Sequence, residues 1–199
     1  MSLLNRILEN SFIYACWSKT FISRKLEAIA KVLPEIKGRK ILDIACGPAS
    51  NTHFFESNDY TGIDINPCYI QTAQKKYPHK VFMVQDACSL SFTGSFDIIL
   101  INSLLHHLSD QAAHALFSSL KDILNSDGKI IILEPLIPQK MEYVKLLMMK
   151  LDRGKFFRSH GQYEELFDSA FKNKKHIIFD LKFIGIPSWT TIVMRLERA

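Results

Sequence analysis

Acidic residues stand at regular places in the first half of the chain, each at the end of a short apolar run or just after one. Asp43 lies in the run 40–44, Asp64 ends the run 60–64, and Asp86 follows the run 81–84. If these runs are parallel strands, their carboxyl ends meet at the sheet edge where open α/β folds bind ligands. Asp64 follows Asp43 by about 20 residues, a spacing at which a carboxylate can accept hydrogen bonds from both ribose hydroxyls. We therefore expect Asp64 to bind a ribose.

Each of these residues also has a simpler interpretation. The small residues that follow the first run could serve only tight packing, Asp64 could belong to the cap formed by Asn66 and Pro67, and Asp86 could be a solvated loop acid. Three acids at the ends of three consecutive runs favour the functional interpretation.

The elements that would position these acids are strands and helices that alternate along the chain, as in βαβ units. Apolar residues at helical spacing predict helices at 3–33, about 67–76, 110–124 and 139–151. A capping box at 159–162 predicts a further helix. That helix would present on one side Tyr163, Leu166, Phe167, Ala170 and Phe171. Strands are predicted at 40–44, 60–64, 81–84, 96–101 and 129–133, and a closing antiparallel pair at 176–184 and 190–196. The fold class is α/β with a mainly parallel sheet.

The motifs, taken in order, resemble those of class I S-adenosylmethionine-dependent methyltransferases over residues 38–135. The residues that carry the resemblance are Ile41-Leu-Asp43-Ile-Ala-Cys-Gly47-Pro, Gly62-Ile-Asp64, Gln85-Asp86-Ala87, Phe96-Asp97 and Gly128-Lys-Ile-Ile-Ile. The resemblance implies a Rossmann-like, mainly parallel seven-stranded sheet flanked by helices, with a closing antiparallel hairpin and helical lid segments. It also implies S-adenosylmethionine as the cofactor and S-adenosylhomocysteine as the product.

The same resemblance assigns residues to parts of the cofactor. It implies that the loop 43–47 holds the methionine end, that Asp64 binds the ribose, and that Asp86 and Ala87 flank the adenine. The expected cofactor-binding residues are Asp43, Ala45, Cys46, Gly47, Asp64, Ile65, Asp86, Ala87 and Asn102. The chain departs from the family at Ala45 and Ala49, where the family usually has glycine.

Two other classes of protein share features with this pattern. A nucleotide-dependent oxidoreductase has the same strand order and ribose acid, but its G-x-G-x-x-G loop is missing from residues 45–50. A non-catalytic module that binds S-adenosylmethionine or S-adenosylhomocysteine without turnover stays open as an alternative.

Methyl transfer to a hydroxyl needs a base, and a histidine suits that task. His107 is the first candidate for this base and His106 the second, since both follow the fourth strand. The alternative is that a histidine at a helix start simply points to solvent. Tyr14, Trp17 and Tyr163 are candidate walls for the substrate, with plain core packing as the alternative. We expect the acceptor to be an oxygen or nitrogen of a small molecule.

The excess positive charge is confined to the end of the chain. Residues 137–199 hold 12 Lys and Arg against 7 Asp and Glu, whereas residues 1–136 hold 13 of each. Within the predicted lid, Arg153 and Arg158 lie close to Gly154 in the sequence and could bind a carboxylate or phosphate of an anionic substrate through paired hydrogen bonds. A solvated loop with no ligand role is the alternative.

Composition limits the remaining choices. The chain of 199 residues, 47% hydrophobic and 23% charged, is expected to form one domain: a helical cap at 1–36, a cofactor-binding core at 37–136, a helical lid at 137–175 and closing strands at 176–199. No CxxC pair occurs, so no metal site is expected, and nucleic-acid binding is an unfavoured interpretation of the basic charge. A cytoplasmic protein without a membrane span is expected, and its oligomeric state stays open.

Overall fold

The computed structural model describes residues 11–33, 35–139, 142–167 and 169–199, with side chains described from Phe21 onward. Within these ranges one seven-stranded sheet has the order β3-β2-β1-β4-β5-β7-β6. The strands are β1 Lys40–Ile44, β2 Asp59–Asp64, β3 Val81–Val84, β4 Phe96–Asn102, β5 Leu124–Pro135, β6 Phe171–Phe183 and β7 Ile186–Arg198. Strands β1 to β5 pair in parallel, and β7 pairs antiparallel with both β5 and β6. The predicted fold class is confirmed.

Helices cover both faces of this sheet. They are α1 Ser11–Val32, α2 Pro67–Lys76, α3 Asp110–Ile123, α4 Tyr143–Leu151 and α5 His160–Glu164, with short 3-10 turns at Thr52–Phe55 and Leu105–His107. The predicted caps are present: Asn66 accepts from the Cys68 amide, and Ser159 and Gln162 form a reciprocal capping box. These caps fix the starts of α2 and α5.

The hydrophobic core lies in two layers because successive strand residues face opposite sides of the sheet. Leu42 and Ile44 face the layer filled by Phe117 and other residues of α3. Ile41 faces the other layer, where Ile29 and neighbouring residues of α1 pack together with α2. The central strands are therefore covered on both sides, and their carboxyl ends remain open to ligands.

Several predicted boundaries differ in the second half of the chain. The helix that begins at Ser159 ends at Glu164, and Phe171, predicted to lie on that helix, instead starts β6. Strand β5 begins at Leu124, directly after α3 and before its predicted start at 129, and β7 begins at Ile186, before its predicted start at 190. The long ladder between β6 and β7, from Phe171↔Arg198 to Phe183↔Ile186, gives the backbone more hydrogen bonds than one further helical turn could.

Candidate functional site

The Asp64 carboxylate holds two loops together at the edge of the sheet. Its Oδ2 accepts a hydrogen bond from the Gly47 amide at 2.9 Å, and its Oδ1 accepts one from the Asn66 amide at 2.8 Å. Each oxygen keeps a further lone pair, so the carboxylate can still accept from ligand hydroxyls. Burial raises the pKa of Asp64, and the charge of Arg153 opposes that rise.

Asp43 is buried at the end of β1 and only half satisfied. Its Oδ2 accepts from the Tyr60 hydroxyl at 2.6 Å, while its Oδ1 has no hydrogen-bond partner among the described residues. Burial raises the pKa of Asp43 to about 7, although the Tyr60 hydrogen bond opposes the rise. Because buried polar atoms are normally paired, the free oxygen fits a ligand that brings an N–H donor or a positive charge.

The loop after β1 contains three residues in the left-handed conformation. Ala45, Gly47 and Ala49 have φ angles of 60°, 57° and 59°. This backbone region costs about 1 kcal/mol or more for a residue with a Cβ atom and favours glycine. Glycine is therefore the favoured residue type at positions 45 and 49, and this chain forms the loop with alanine there at some cost in free energy.

The remaining predicted cofactor residues lie along the same edge. Ile65 follows Asp64 with 68% of its surface exposed, and Asp86 is exposed with Oδ1 accepting from the Cys88 amide. Ala87 is half-buried against the core, and Asn102 ends β4. Cys46 is buried in the loop after β1. The predicted set therefore follows the carboxyl ends of β1, β2, β3 and β4.

A cavity of about 150 Å³ opens near the carboxyl ends of β4 and β5. Its polar lining consists of Lys25, Ser103, His106, His107, Asp152, Arg153 and Thr191. Its apolar lining includes Phe21 from α1 and Leu181 and Trp189 from the closing hairpin. The two segments predicted to cover the site, the N-terminal helix and the region after β5, both contribute to its walls.

His106 is fixed in the cavity wall by two carboxylates. Its Nδ1 lies 2.7 Å from Glu134 Oε2, and its Nε2 lies 3.5 Å from Asp152 Oδ1. Burial disfavours the charged ring, but Glu134 and Asp152 outweigh it and raise the pKa of His106 to about 9. His106 is therefore an imidazolium at neutral pH, and its two ring N–H groups are engaged.

His107 is the neutral member of the pair. Its ring centroid lies 4.2 Å from that of His106. Partial burial, together with the charge of His106, lowers the pKa of His107 to about 4, although the residue stays exposed. The imidazole is thus uncharged at pH 7 and is a weak base, because a proton on it would lie beside the charged His106.

Glu134, which we did not predict from the sequence, organises the turn that carries both histidines. It is fully buried, and Oε1 accepts from the Leu104 and Leu105 amides at 2.7 Å each. With His106 Nδ1 on the other oxygen, the carboxylate ties β5 to the turn after β4. The only sequence signal was its position at the carboxyl end of the fifth strand.

Lys25 is a second cavity residue that sequence reasoning missed. Its Nζ donates to Asn102 Oδ1 at 3.1 Å and to Ser103 Oγ at 3.0 Å. Burial lowers the pKa of Lys25 to about 8, although Glu134 and Asp152 oppose the change. The lysine stays mostly protonated at pH 7 and adds a positive charge to the cavity.

Among the predicted substrate residues whose side chains are described, Arg153 alone lines the cavity. The buried guanidinium of Arg158 donates to Asp110 Oδ1 at 2.6 Å and to the Leu105 and Leu108 carbonyls. Arg158 thus fixes the turn after β4. Tyr163 is fully buried, and its hydroxyl donates to the Pro135 carbonyl.

The side chains of Tyr14 and Trp17, the other two predicted substrate residues, lie outside the described part of the chain.

Gly154 brings the segment after α4 against the histidine turn. A Cβ atom at this position would collide with His106 Cδ2, and the Lys155 and Phe156 amides both donate to the His106 carbonyl. Phe157 stacks on His106 and on Trp189. Residues 154–157 therefore pack directly against the turn that carries both histidines.

Ring nitrogens of His106 and His107 and an oxygen of Asp152 lie within 4.8 Å of one another, close enough to approach a cation. The positive charges of Lys25 and Arg153 line the same cavity and work against a metal ion there. We do not assign a metal to this group.

No helix in the described ranges is long and apolar enough to cross a membrane.

Residues 41–128 match the protein family described as the methyltransferase domain. A demethylmenaquinone methyltransferase of Thermotoga maritima is 30% identical over 71% of this chain and 59% of its own length. An uncharacterized methyltransferase of Alkaliphilus oremlandii is 25% identical over 66% of this chain and 62% of its own length. The chain thus spans about three-fifths of these two relatives.

Solved structures share the fold across nearly the whole chain. Magnesium protoporphyrin IX methyltransferase of Synechocystis, with bound S-adenosylhomocysteine, has a TM-score of 0.67 at 14% identity and covers 100% of this chain and 88% of its own. An N-methyltransferase of Bradyrhizobium japonicum has a TM-score of 0.70 at 14% identity, with 89% and 96% covered. The domain match therefore places a methyltransferase domain within residues 41–128, and the seven-stranded fold of the chain is the one that these solved methyltransferase structures share.

Proposed function

We propose that this protein transfers the methyl group of S-adenosylmethionine to an oxygen or nitrogen of a small, negatively charged molecule. One observation carries the proposal: the edge that holds Asp64 and the cavity that holds His107 adjoin each other. Asp64 is hydrogen-bonded to the loop after β1 through the Gly47 amide. Strand β1 pairs with β4, and the residues that follow β4 carry His107 into the cavity lining.

The edge residues fit the three parts of the cofactor. The unpaired Oδ1 of Asp43 suits the amino group of the methionine end, and the free lone pairs of Asp64 suit the ribose hydroxyls. Exposed Ile65 can cover the apolar face of an adenine, with Asp86 at its edge. When bound there, the cofactor supplies a methyl group that its sulfonium already activates.

The chain's own residues then have to align the acceptor and move one proton. The cavity walls exclude water and orient the acceptor toward the cofactor edge. His107 is neutral and a weak base, but it can take the proton of a hydroxyl whose oxygen is being methylated, because that oxygen becomes strongly acidic. His106, held by Glu134 and Asp152, stays charged and keeps the turn in place. The different protonation states of the two rings support an acid–base role for His107 and a positioning role for His106.

The cavity charge favours an anionic acceptor. Its lining contains the cationic side chains of Lys25, Arg153 and His106, whereas Asp152 and the nearby Glu134 are both engaged by His106. Lys25 and Arg153 thus remain to face a ligand carboxylate or phosphate.

Replacing Asp64 with asparagine is expected to weaken binding of S-adenosylhomocysteine about 10- to 100-fold, because two charge-assisted hydrogen bonds to the ribose are lost. Calorimetric titration measures this change. Asp59→Asn is the matched control, since Asp59 is exposed at the opposite end of the same strand. Equal affinities of the two folded variants would refute the ribose assignment.

Acceptors can be found by testing hydroxyl and amine compounds in pairs that differ only by a carboxylate or phosphate. On the best acceptor, Arg153→Gln is expected to raise KM at least about tenfold, as loss of a paired charge contact predicts. Added salt should raise the wild-type KM as well. Lys155→Gln is the control, because Lys155 is exposed and absent from the cavity lining. A preference for the neutral member of each pair would contradict an anionic acceptor.

A non-catalytic binding module is the second candidate function, because Ala45 and Ala49 depart from the family's glycines in the loop. Tight binding of S-adenosylhomocysteine together with no methyl transfer to any acceptor, including those of a metabolite extract, would favour it over the enzyme.

A further inference from the structure

Helix α4 turns its most apolar face away from the core. Tyr143, Leu147 and Leu151 are exposed at helical spacing, with Val144 beside them. A surface helix ordinarily packs such a face inward. Here Lys145 is the side chain of α4 that is buried, and Met148 and Met149 are half-buried. Packing among the residues that the structure describes therefore does not account for the exposed apolar face.

The tip of the closing hairpin also exposes apolar side chains. Ile184 exposes 82% of its surface, and Phe183 and Ile186 on either side of the turn are also exposed. Ile184 and Gly185 both have positive φ angles, 49° and 79°, as in a type I′ turn. The first turn position favours Asn, Asp or Gly, and a β-branched residue is strained there. Neither turn geometry nor core packing explains an isoleucine at this position.

Helix α4 and the hairpin tip lie on the same part of the molecule. Lys145 Nζ donates to Asp180 Oδ1 at 2.8 Å and to Thr190 Oγ1 at 2.7 Å, so α4 rests on the tip half of the hairpin. Met148 and Met149 pack against the cluster of Leu181 and Trp189, two residues that line the cavity. The exposed apolar side chains are therefore close to the cavity.

The charges on this part of the molecule are of one sign. Within residues 143–157 and 181–187, every exposed charged side chain is basic: Lys150, Arg153, Lys155 and Lys182. The neighbouring acids are engaged, Asp180 by Lys145 and Asp152 by His106 and the Gly154 amide. Apolar side chains among lysines and arginines are the composition that binds at the surface of an anionic bilayer.

We propose that this apolar-basic surface docks the protein on an anionic membrane, with no segment crossing it. The surface consists of Tyr143, Val144, Leu147, Leu151, Ile184 and Ile186 together with Lys150, Arg153, Lys155 and Lys182. A second copy of the chain fits less well, because a two-fold contact through this surface would set its basic side chains against each other. If the proposed function holds, docking would present the cavity to an acceptor held among lipid headgroups.

Flotation with vesicles tests the docking directly and needs no methyl acceptor. The intact protein is expected to float with phosphatidylcholine vesicles that contain about a quarter phosphatidylglycerol, and to float much less with phosphatidylcholine alone or at high salt. The triple variant Leu147→Gln, Leu151→Gln, Ile184→Asn should bind about tenfold more weakly. Glutamine supports a helix and asparagine suits the turn, so this variant is expected to fold.

The control variant Val81→Thr with Met83→Gln removes exposed apolar surface from β3, at the opposite edge of the sheet, and should bind like the wild type. Absence of wild-type flotation, or equal flotation of the triple variant, would overturn the proposal. A dimer that the triple variant loses, without any vesicle binding, would assign the surface to a second copy instead. Because flotation is independent of turnover, a failed methylation assay would leave this result unaffected.

Discussion

Replacing His107 with alanine is expected to lower kcat about 10²- to 10⁴-fold on a hydroxyl acceptor, the usual loss on removing a general base. The neutral imidazole lines the cavity beside the charged His106, where it can take the acceptor's proton. Affinity for S-adenosylhomocysteine should stay unchanged, because the expected cofactor residues lie along the edge of β1 to β4. Steady-state rates and calorimetry on the same protein preparation measure the two quantities.

His114→Ala provides the matched control, since His114 is exposed on α3 and absent from the lining of this cavity. A His107→Ala enzyme with wild-type kcat on a hydroxyl acceptor would show that another group removes the proton. An amine acceptor that reacts at undiminished rate, beside a hydroxyl acceptor that does not, would support the assigned role.

Removing the Glu134 carboxylate is expected to have the largest effect on stability. Glu134→Ala would leave a buried imidazolium and the Leu104 and Leu105 amides without their acceptor. Breaking one partner of a buried ion pair typically costs about 3–5 kcal/mol of the free energy of unfolding. Urea denaturation of the variant and the wild type measures the difference.

Glu134→Gln keeps the shape of the side chain and tests the charge alone. The pKa of His106 is raised in the folded protein to about 9 from 6.5, so its charge stabilises the fold fully below pH 6.5. That contribution is lost as the pH rises through 9. The stability gap between wild type and Glu134→Gln should therefore be widest near pH 6 and narrow above pH 9, and a gap independent of pH would contradict the charged pair.

The parallel half of the fold was predictable because its signals are local. Each of the first three strands ends at an acid or within two residues of one, and the helix caps at Asn66 and Ser159 each depend on residues within four consecutive positions. The carboxyl ends of parallel strands must share an edge, so placing Asp43, Asp64 and Asp86 together needed only the strand assignment.

The cavity was less predictable because its polar groups meet across long stretches of sequence. Lys25 reaches Asn102 from a helix 77 residues earlier, and nothing near Lys25 in the sequence indicates that contact. Arg153 and Arg158 look alike in the sequence, yet Arg158 is buried on Asp110 and backbone carbonyls. Which arginine faces a cavity depends on the path of the segment after α4, and that path is set by tertiary contacts.

The close approach of Gly154 to His106 has a consequence for how this protein can diverge. Because a Cβ atom at position 154 would collide with the histidine ring, neither position can enlarge alone. Glu134 shares the constraint, since a smaller residue in place of His106 would leave its Oε2 without the ring N–H. We expect the three positions to vary together among homologues: sequences with a side chain at 154 should also lack histidine at 106 and an acid at 134.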